Sequence, residues 1–314
     1  MSAMRIGIMG AGAVGTFVGA LLAERSDVIL IGRPGVADCI SDRGIRISGK
    51  TETHVSPDAS ADPADLKGCD IVLLTVKAYD TAEAAGQVAQ AEPMAMLVTL
   101  QNGLDNDESV ARTAPGLKSC AAITSLGVTY EGPGHIRHAG EGTTVLGRMA
   151  CSPGEASHVA HLLTEGGFPM EWVDNIRGHV WLKGIVNHCI NPLTVIHRCR
   201  NGVLVEHDEY LQHLTGLCAE ALTVINAATV RLPSDDIIGR VKEVARLTAD
   251  NRSSMLQDLD RGKRTEIDHI TGHIIRLGKL NGLDLPLSEF VYYEVKNLES
   301  EGMEAKMEED RRSC

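Results

Sequence analysis

The chain has 314 residues, of which 43% are hydrophobic and 23% charged, with a formal net charge of −12. That length leaves room for two domains with separate cores, and the negative charge argues against nucleic acid or an anionic membrane as the main partner. No run approaches the ~20 apolar residues of a membrane span, the N-terminus enters a strand with no room for a signal peptide, and a cytoplasmic protein is expected.

The eight cysteines form no Cys-x-x-Cys pair and no Cys/His ligand spacing, so neither disulfides nor a metal site is expected. Arg5–Met9 reads as a buried strand that runs into Gly10-Ala11-Gly12-Ala13-Val14-Gly15, followed by a small-residue helix over Thr16–Ala23. Strand, glycine turn and helix in that order are the fingerprint of a Rossmann-type dinucleotide-binding domain. Gly10 permits the tight turn, Gly12 lets a pyrophosphate approach the backbone, and Gly15 lets helix and strand pack closely. The helix N-terminus offers N–H groups and partial positive charge to phosphate. A glycine turn without a ligand is the bland alternative, and the context weighs against it.

The second strand, Val28–Gly32, ends at Arg33. An NAD site carries an acid at this point for the ribose 2′-OH; a cation favours a 2′-phosphate and therefore NADP(H). The plain alternative is a solvated strand end. Asp70–Val76 and Met94–Leu100 are near-continuous apolar runs, as in parallel strands buried on both faces. They end at Lys77 and at Gln101-Asn102-Gly103. Ligands of open α/β sheets bind at the carboxyl ends of strands, so Arg33, Lys77 and Asn102 are expected to converge on the glycine turn. Lys77 suits phosphate; Asn102 suits the nicotinamide ribose or the substrate.

Three short segments between Ser119 and Gly147 (Ala121–Val128, Gly134–His138 and Thr143–Gly147) are expected to extend the sheet with antiparallel pairing. Pro153–Gly166 reads as a helix capped by Ser152, and Met170–Val173 as a last strand. The composition then turns helical. The expected architecture is an α/β Rossmann-type domain over 1–173 and an all-α C-terminal domain over 174–314.

Helical periodicity marks Ile176–Ile196, Tyr210–Thr229, Ser234–Asn251, Glu266–Leu280 and a last helix from Ser288, and a frayed end is expected from Glu301 to Cys314. In the first of these helices Lys183, Asn187 and Asn191 stand four residues apart, so each side chain drifts only ~40° from the last and the three form one polar row. An ammonium and two carboxamides suit a small oxygen-rich molecule; an ordinary solvated helix face is the competing reading. Pro192 should bend or end the helix. Further on, Asn251–Asp258 opens with side chains able to bind a carboxylate or hydroxyl and continues as an amphipathic turn. Glu266 and Asp268 stand equally well near the start of the next helix, and spacing alone does not choose between them.

Gly10–Gly15, Val76-Lys-Ala-Tyr79, Leu100–Gly103, Trp181–Lys183 through Asn191-Pro-Leu193, Ser253–Asp258 and Thr265–Asp268 together resemble the ketopantoate reductase family over essentially the whole chain. The resemblance implies an N-terminal NADPH-binding domain, an all-helical second domain and a substrate cleft between them. It implies Lys183 as general acid, Asn187, Asn191, Asn201 and Ser254 as substrate contacts, and Asn102 where cofactor and substrate meet. It also places Glu266 beside both ligands and Arg33 and Lys77 around the 2′-phosphate.

The implied reaction reduces 2-dehydropantoate, a small 2-oxo acid, to pantoate on the route to pantothenate and coenzyme A. Lys183 would protonate the oxygen on which charge grows. Burial would lower its pKa and Glu266 would raise it, and the sequence does not say which prevails. A same-fold reductase of another 2-oxo acid and a non-catalytic NADP-binding protein remain as alternatives. The helical domain could pair as a homodimer, but no heptad seam specifies one.

Overall fold

The computed structural model describes residues 4–313, with side chains described as far as residue 302. Contacts divide the chain into two compact units, Met1–Gln101 with Asp105–Ile176, and Asn102–Leu104 with Arg177–Cys314.

The first unit runs β1 (Arg5–Met9), α1 (Ala13–Ala23), β2 (Asp27–Ile31), α2 (Pro34–Arg43), β3 (Ile45–Gly49), β4 (Thr53–Val55), β5 (Asp58–Ser60), β6 (Ile71–Leu74), α3 (Thr81–Ala91), β7 (Met96–Thr99) and α4 (Asn106–Thr113). It continues with β8 (Ser119–Thr124), β9 (Gly127–Gly132), β10 (His135–Gly140), β11 (Thr144–Arg148), α5 (Pro153–Glu165) and β12 (Glu171–Trp172). Eight strands form one sheet in the order β12-β11-β8-β7-β6-β1-β2-β5. From β5 to β8 the pairing is parallel; β11 joins β8 antiparallel.

The apolar runs of β1, β2, β6 and β7 have this form because the sheet is covered on both sides. Ile6, Ile8, Val28, Leu30, Leu73 and Val98 face one core with Phe17, Val18 and Leu22 of α1. Met9, Ile29, Ile31, Val72, Leu74 and Leu97 face the other, with Ala84, Ala85 and Val88 of α3. Residues alternate between the two cores, as the period of a strand requires. At α5 the Ser152 hydroxyl accepts from the Glu155 N–H at 3.3 Å while the Glu155 carboxylate accepts from the Ser152 N–H at 2.9 Å, a capping box.

One expectation is overturned here. The segments between Ser119 and Gly147 do not all extend the main sheet. The Ala121–Val128 run divides into β8 and the start of β9, and β9 and β10 leave to form a four-stranded sheet, β4-β3-β10-β9. β10 pairs parallel with β3, aligning Ile136 with Ile47. Local alternation names a strand but not its partner, and the partner here lies about ninety residues earlier, in Ile45–Gly49.

The second unit is helical: α6 (Ile176–Ile196), α7 (Val203–Glu206), α8 (Asp208–Ala227), α9 (Ile237–Leu247), α10 (Ser254–Asp260), a 3-10 turn (Ile267–His269), α11 (Thr271–Leu280) and α12 (Pro286–Ser313). Among the described residues no helix is long and apolar enough to cross a membrane. α6 supplies Ile185, Cys189, Ile190 and Leu193 to a core shared with Leu214, Leu217 and Ala221 of α8 and Val241 of α9. α6 does not end at Pro192, which stands inside it; the Thr194 hydroxyl donates to the Asn191 carbonyl at 2.7 Å beside the proline. The helix expected over Glu266–Leu280 is divided into the 3-10 turn and α11, and the turn expected after Asn251 winds into α10. The frayed end expected from Glu301 onward falls mainly on side chains outside the described residues; the backbone is helical to Ser313.

Candidate active site

The first unit builds a rim from the carboxyl ends of β2, β1 and β6. Their register sets Met9 opposite both Ile31 and Leu74, so the glycine turn, Arg33 and Lys77 emerge side by side. The Gly10 and Ala11 N–H groups both donate to the Ile31 carbonyl, at 2.9 and 3.1 Å. The Thr75 hydroxyl donates to the Gly10 carbonyl at 2.7 Å. Gly10 has φ +119°, a conformation that L side chains strain to reach. A Cβ on Gly15 would lie 2.0 Å from the Gly10 carbonyl oxygen, whereas one on Gly12 would meet nothing within 4 Å.

That open space lies at the N-terminus of α1, which has no side-chain cap and no acid in its first turn. The first-turn N–H groups of a helix have no intrahelical partner and favour an anion. These residues therefore fit a dinucleotide's phosphates. Gly15→Ala should destabilise the fold by about 1–3 kcal/mol, read as a lower denaturation midpoint. Gly12→Ala should melt like the native protein and lose dinucleotide affinity, read by fluorescence titration.

Arg33 is exposed, in extended backbone immediately before α2. Burial raises the pKa of the Tyr130 phenol on β9, and the charge of Arg33 opposes that rise. Nothing local in the sequence marks Tyr130, which lies in the second sheet and comes within electrostatic reach of Arg33 only in the folded chain. Gln101 was visible but without a role. Its side-chain amide donates to the Val76 carbonyl at 2.9 Å and to the Thr81 hydroxyl at 2.8 Å, fastening the ends of β6 and β7 together.

Asn102 follows Gln101 at the end of β7, and its contacts are with the helical unit. Asn102–Leu104 are held in the helical unit: the Leu104 N–H donates to the His269 carbonyl at 2.9 Å, and Leu104 packs against Gly184 of α6. Asn102 itself donates to a Glu266 carboxylate oxygen at 3.4 Å.

In the helical unit, Lys183, Asn187 and Asn191 stand on α6 at steps of four. The carboxamides of Asn187 and Asn191 make no hydrogen bond to any described residue and keep some access to solvent. Asn201 differs: its amide nitrogen donates to the Thr248 hydroxyl at 2.9 Å, and its buried carbonyl oxygen has no partner among the described residues. A buried polar group without a partner is uncommon and asks for one. Ser254 is exposed at the start of α10. Beside it, Ser253 caps α10, accepting from the Leu256 N–H at 3.1 Å, and its hydroxyl meets that of Thr194 on α6 at 2.7 Å. The Asn191 end of the row and Ser254 are thus fixed relative to each other by buried hydroxyls.

The two acids that spacing left equal are separated by their surroundings. Asp268 turns away to α12, where Tyr292 donates to it at 2.7 Å and Lys296 at 3.2 Å. Glu266 is 5% exposed and bears on Lys183 electrostatically. Burial lowers the Lys183 pKa and the Glu266 carboxylate raises it; burial prevails, and the ammonium is brought down to about 8. Such an ammonium is charged at neutral pH and still willing to give up its proton.

A dinucleotide turn on a parallel sheet and a helical unit that carries a lysine of lowered pKa in a row with two carboxamides fit a class: oxidoreductases with a dinucleotide-binding domain. Comparison with known proteins agrees. Residues 6–150 match the family model described as ketopantoate reductase PanE/ApbA, and residues 175–299 match its C-terminal counterpart. A 2-dehydropantoate 2-reductase of Archaeoglobus fulgidus is 36% identical over 302 residues, covering 96% of this chain and 99% of that one. A crystal structure of a PanE/ApbA family ketopantoate reductase from Ralstonia eutropha JMP134 superposes with a TM-score of 0.89 at 34% identity, covering 95% of this chain and 99% of that one. The chain belongs to the ketopantoate reductase PanE/ApbA family. The fold extends further, to a D-mandelate dehydrogenase complex with NADH and anilino(oxo)acetate at a TM-score of 0.88 and 23% identity, covering 95% of this chain and 99% of that one.

Proposed function

We propose that the protein reduces 2-dehydropantoate to pantoate with NADPH, in the synthesis of pantothenate and coenzyme A. On this reading residues 1–173 bind the cofactor, and residues 174–314, with Asn102, bind the substrate and complete the chemistry. One observation carries the proposal: the Lys183 ammonium, held at about 8, heads a row whose two carboxamides have no partner among the described residues.

Bound NADPH supplies the hydride to C2 of the 2-oxo acid. The chain's own groups do the rest. The N–H groups at the start of α1 hold the pyrophosphate, and Arg33 and Lys77 neutralise the 2′-phosphate. Asn187, Asn191 and Asn201 receive the substrate's hydroxyl and carbonyl groups, and Ser254 bonds its carboxylate. Lys183 stabilises the negative charge that develops on the ketone oxygen and then transfers a proton from Nζ to it, leaving a neutral amine. Glu266 keeps that ammonium charged until the charge on oxygen demands the proton, and it orients Asn102.

The sign of the Glu266 effect is testable. Its carboxylate raises the Lys183 pKa, so Glu266→Gln should let burial act unopposed and move the pKa below about 8. Activity, which needs the charged amine, should then fall away at lower pH than in the native enzyme. An unmoved alkaline limb in the profile of kcat against pH would take Glu266 out of this role.

The reaction itself is tested with purified protein, NADPH and a panel of 2-oxo acids that includes 2-dehydropantoate, with oxidation followed optically. Fastest turnover of 2-dehydropantoate is the expected result. Preference for another 2-oxo acid would move the substrate assignment, and tight NADPH binding with no turnover of any of them would overturn the enzymatic reading.

A further inference from the structure

Glu266 sits in a stretch with little regular helix of its own. Between α10 and α11 the backbone includes Gly262 at φ +59° and only a 3-10 turn of three residues. Regular helix hydrogen bonding does not fix such a segment, so its geometry depends on outside anchors. The side chains that grip it on both sides of Glu266 lie on α12. The Thr265 N–H, immediately before Glu266, donates to a Glu299 carboxylate oxygen at 2.6 Å. Two residues after it, Asp268 accepts from the Tyr292 hydroxyl at 2.7 Å and pairs with Lys296 at 3.2 Å. Lys296 also pairs with Glu299 at 3.0 Å, which joins the two anchors.

Tyr292, Lys296 and Glu299 are spaced four and three apart, so they share one face of the helix. Glu299 and Thr265 are buried, at 2% and 0% exposed, and their bond is therefore shielded from competing water. Arg264 also reaches Asp268, at 2.9 Å, from within the same stretch. From α11, Arg276 donates to the Asp268 carbonyl at 3.1 Å. Burial pushes the Asp268 carboxyl upward, but the bonds from Tyr292 and Arg264 and the charge of Lys296 bring it down to about 2. The clamp is thus ionic across the neutral range.

We propose that Tyr292, Lys296 and Glu299 of α12 are positioning residues for the Glu266 carboxylate, gripping the chain on both sides of it so that it stays within reach of Lys183 and Asn102. None of the three needs to touch a ligand. The inference rests on the proposed role of Glu266, and its test is chosen to be read with or without turnover.

The test compares Tyr292→Phe, Lys296→Met and Lys296→Arg with the native enzyme and with Glu266→Gln. Lys296→Met leaves Glu299 buried without its cation and is the variant at greater risk of not folding; Tyr292→Phe removes one hydroxyl and leaves the ion pair. Two quantities are measured: the pH profile of kcat, and the titration of Lys183 by NMR after reductive methylation with labelled formaldehyde. The expected result is a Lys183 titration displaced toward lower pH in Tyr292→Phe and, where it folds, in Lys296→Met. The displacement should be in the direction of Glu266→Gln, with KM for NADPH unchanged and with rescue by Lys296→Arg. In a Glu266→Gln background the Tyr292→Phe change should move the titration no further. A lowered melting temperature with an unmoved Lys183 titration would overturn the proposal. Should none of the 2-oxo acids react, the NMR titration still decides this point, and only the reaction assignment fails.

Discussion

Lys183→Met is expected to cost ~10²–10³ in kcat, the usual loss when one donor to a developing oxyanion is removed, while NADPH binding by the glycine turn is retained. It should also make the protein more stable at neutral pH. The folded state lowers the Lys183 pKa from its usual 10.5 to about 8, chiefly by burial. Between those values the unfolded chain binds more protons than the folded one, so native stability rises with pH across that window. Below about pH 8 the full penalty of burying the charge is present, and above about 10.5 it is gone. One pKa unit is worth about 1.4 kcal/mol; a partly accessible amine is eased by water, so the variant should gain on the order of 1–3 kcal/mol at pH 7. Urea unfolding at pH 7 and at pH 10.5 checks the sign, and a variant that is less stable at pH 7 would mean that the ammonium is not held against its solvation. Near-normal kcat would remove Lys183 from the chemistry.

Arg33→Asp is expected to reverse the coenzyme preference. A hydrogen bond to a charged group is worth about 1.5–3 kcal/mol, so losing the guanidinium should raise the KM for NADPH by roughly 10- to 100-fold, and the new carboxylate adds repulsion against a 2′-phosphate. The same carboxylate can accept from a ribose 2′-OH, so NADH should improve. Arg33 stands at the end of β2 beside the turn that Ile31 closes through its two hydrogen bonds with Gly10 and Ala11, which is where that choice is made in this fold. An unchanged ratio of kcat/KM for the two coenzymes would show that Arg33 does not read the phosphate, leaving Lys77 as the cation to replace next.

Much of this was legible in the sequence because it depends on neighbours along the chain. The glycine turn is a local device: within six residues Gly10 takes φ +119°, Gly12 leaves open space and Gly15 has no room for a Cβ. The α6 row is similarly local, since four-residue spacing alone puts Lys183, Asn187 and Asn191 on one face. The apolar runs of β1, β2, β6 and β7 announce a sheet buried on both sides.

What the sequence left open is what depends on residues far apart. β10 can be named a strand from its alternation, but its pairing with β3 brings together His135 and Arg46 from distant parts of the chain, so local pattern does not assign its sheet. Glu266 and Asp268 were indistinguishable by spacing; the fold turns one to Asn102 and the other to Tyr292 and Lys296. The contest over Lys183 could be stated from residue types and not decided, because burial is a sum over everything packed around the ammonium, whereas the opposing carboxylate is a single term. Periodicity and short motifs thus determined the family, the two kinds of architecture and the candidate groups. Only the tertiary structure decided which acid bears electrostatically on the lysine and that burial outweighs it, since desolvation and long-range hydrogen bonds exist only once the chain has closed around them.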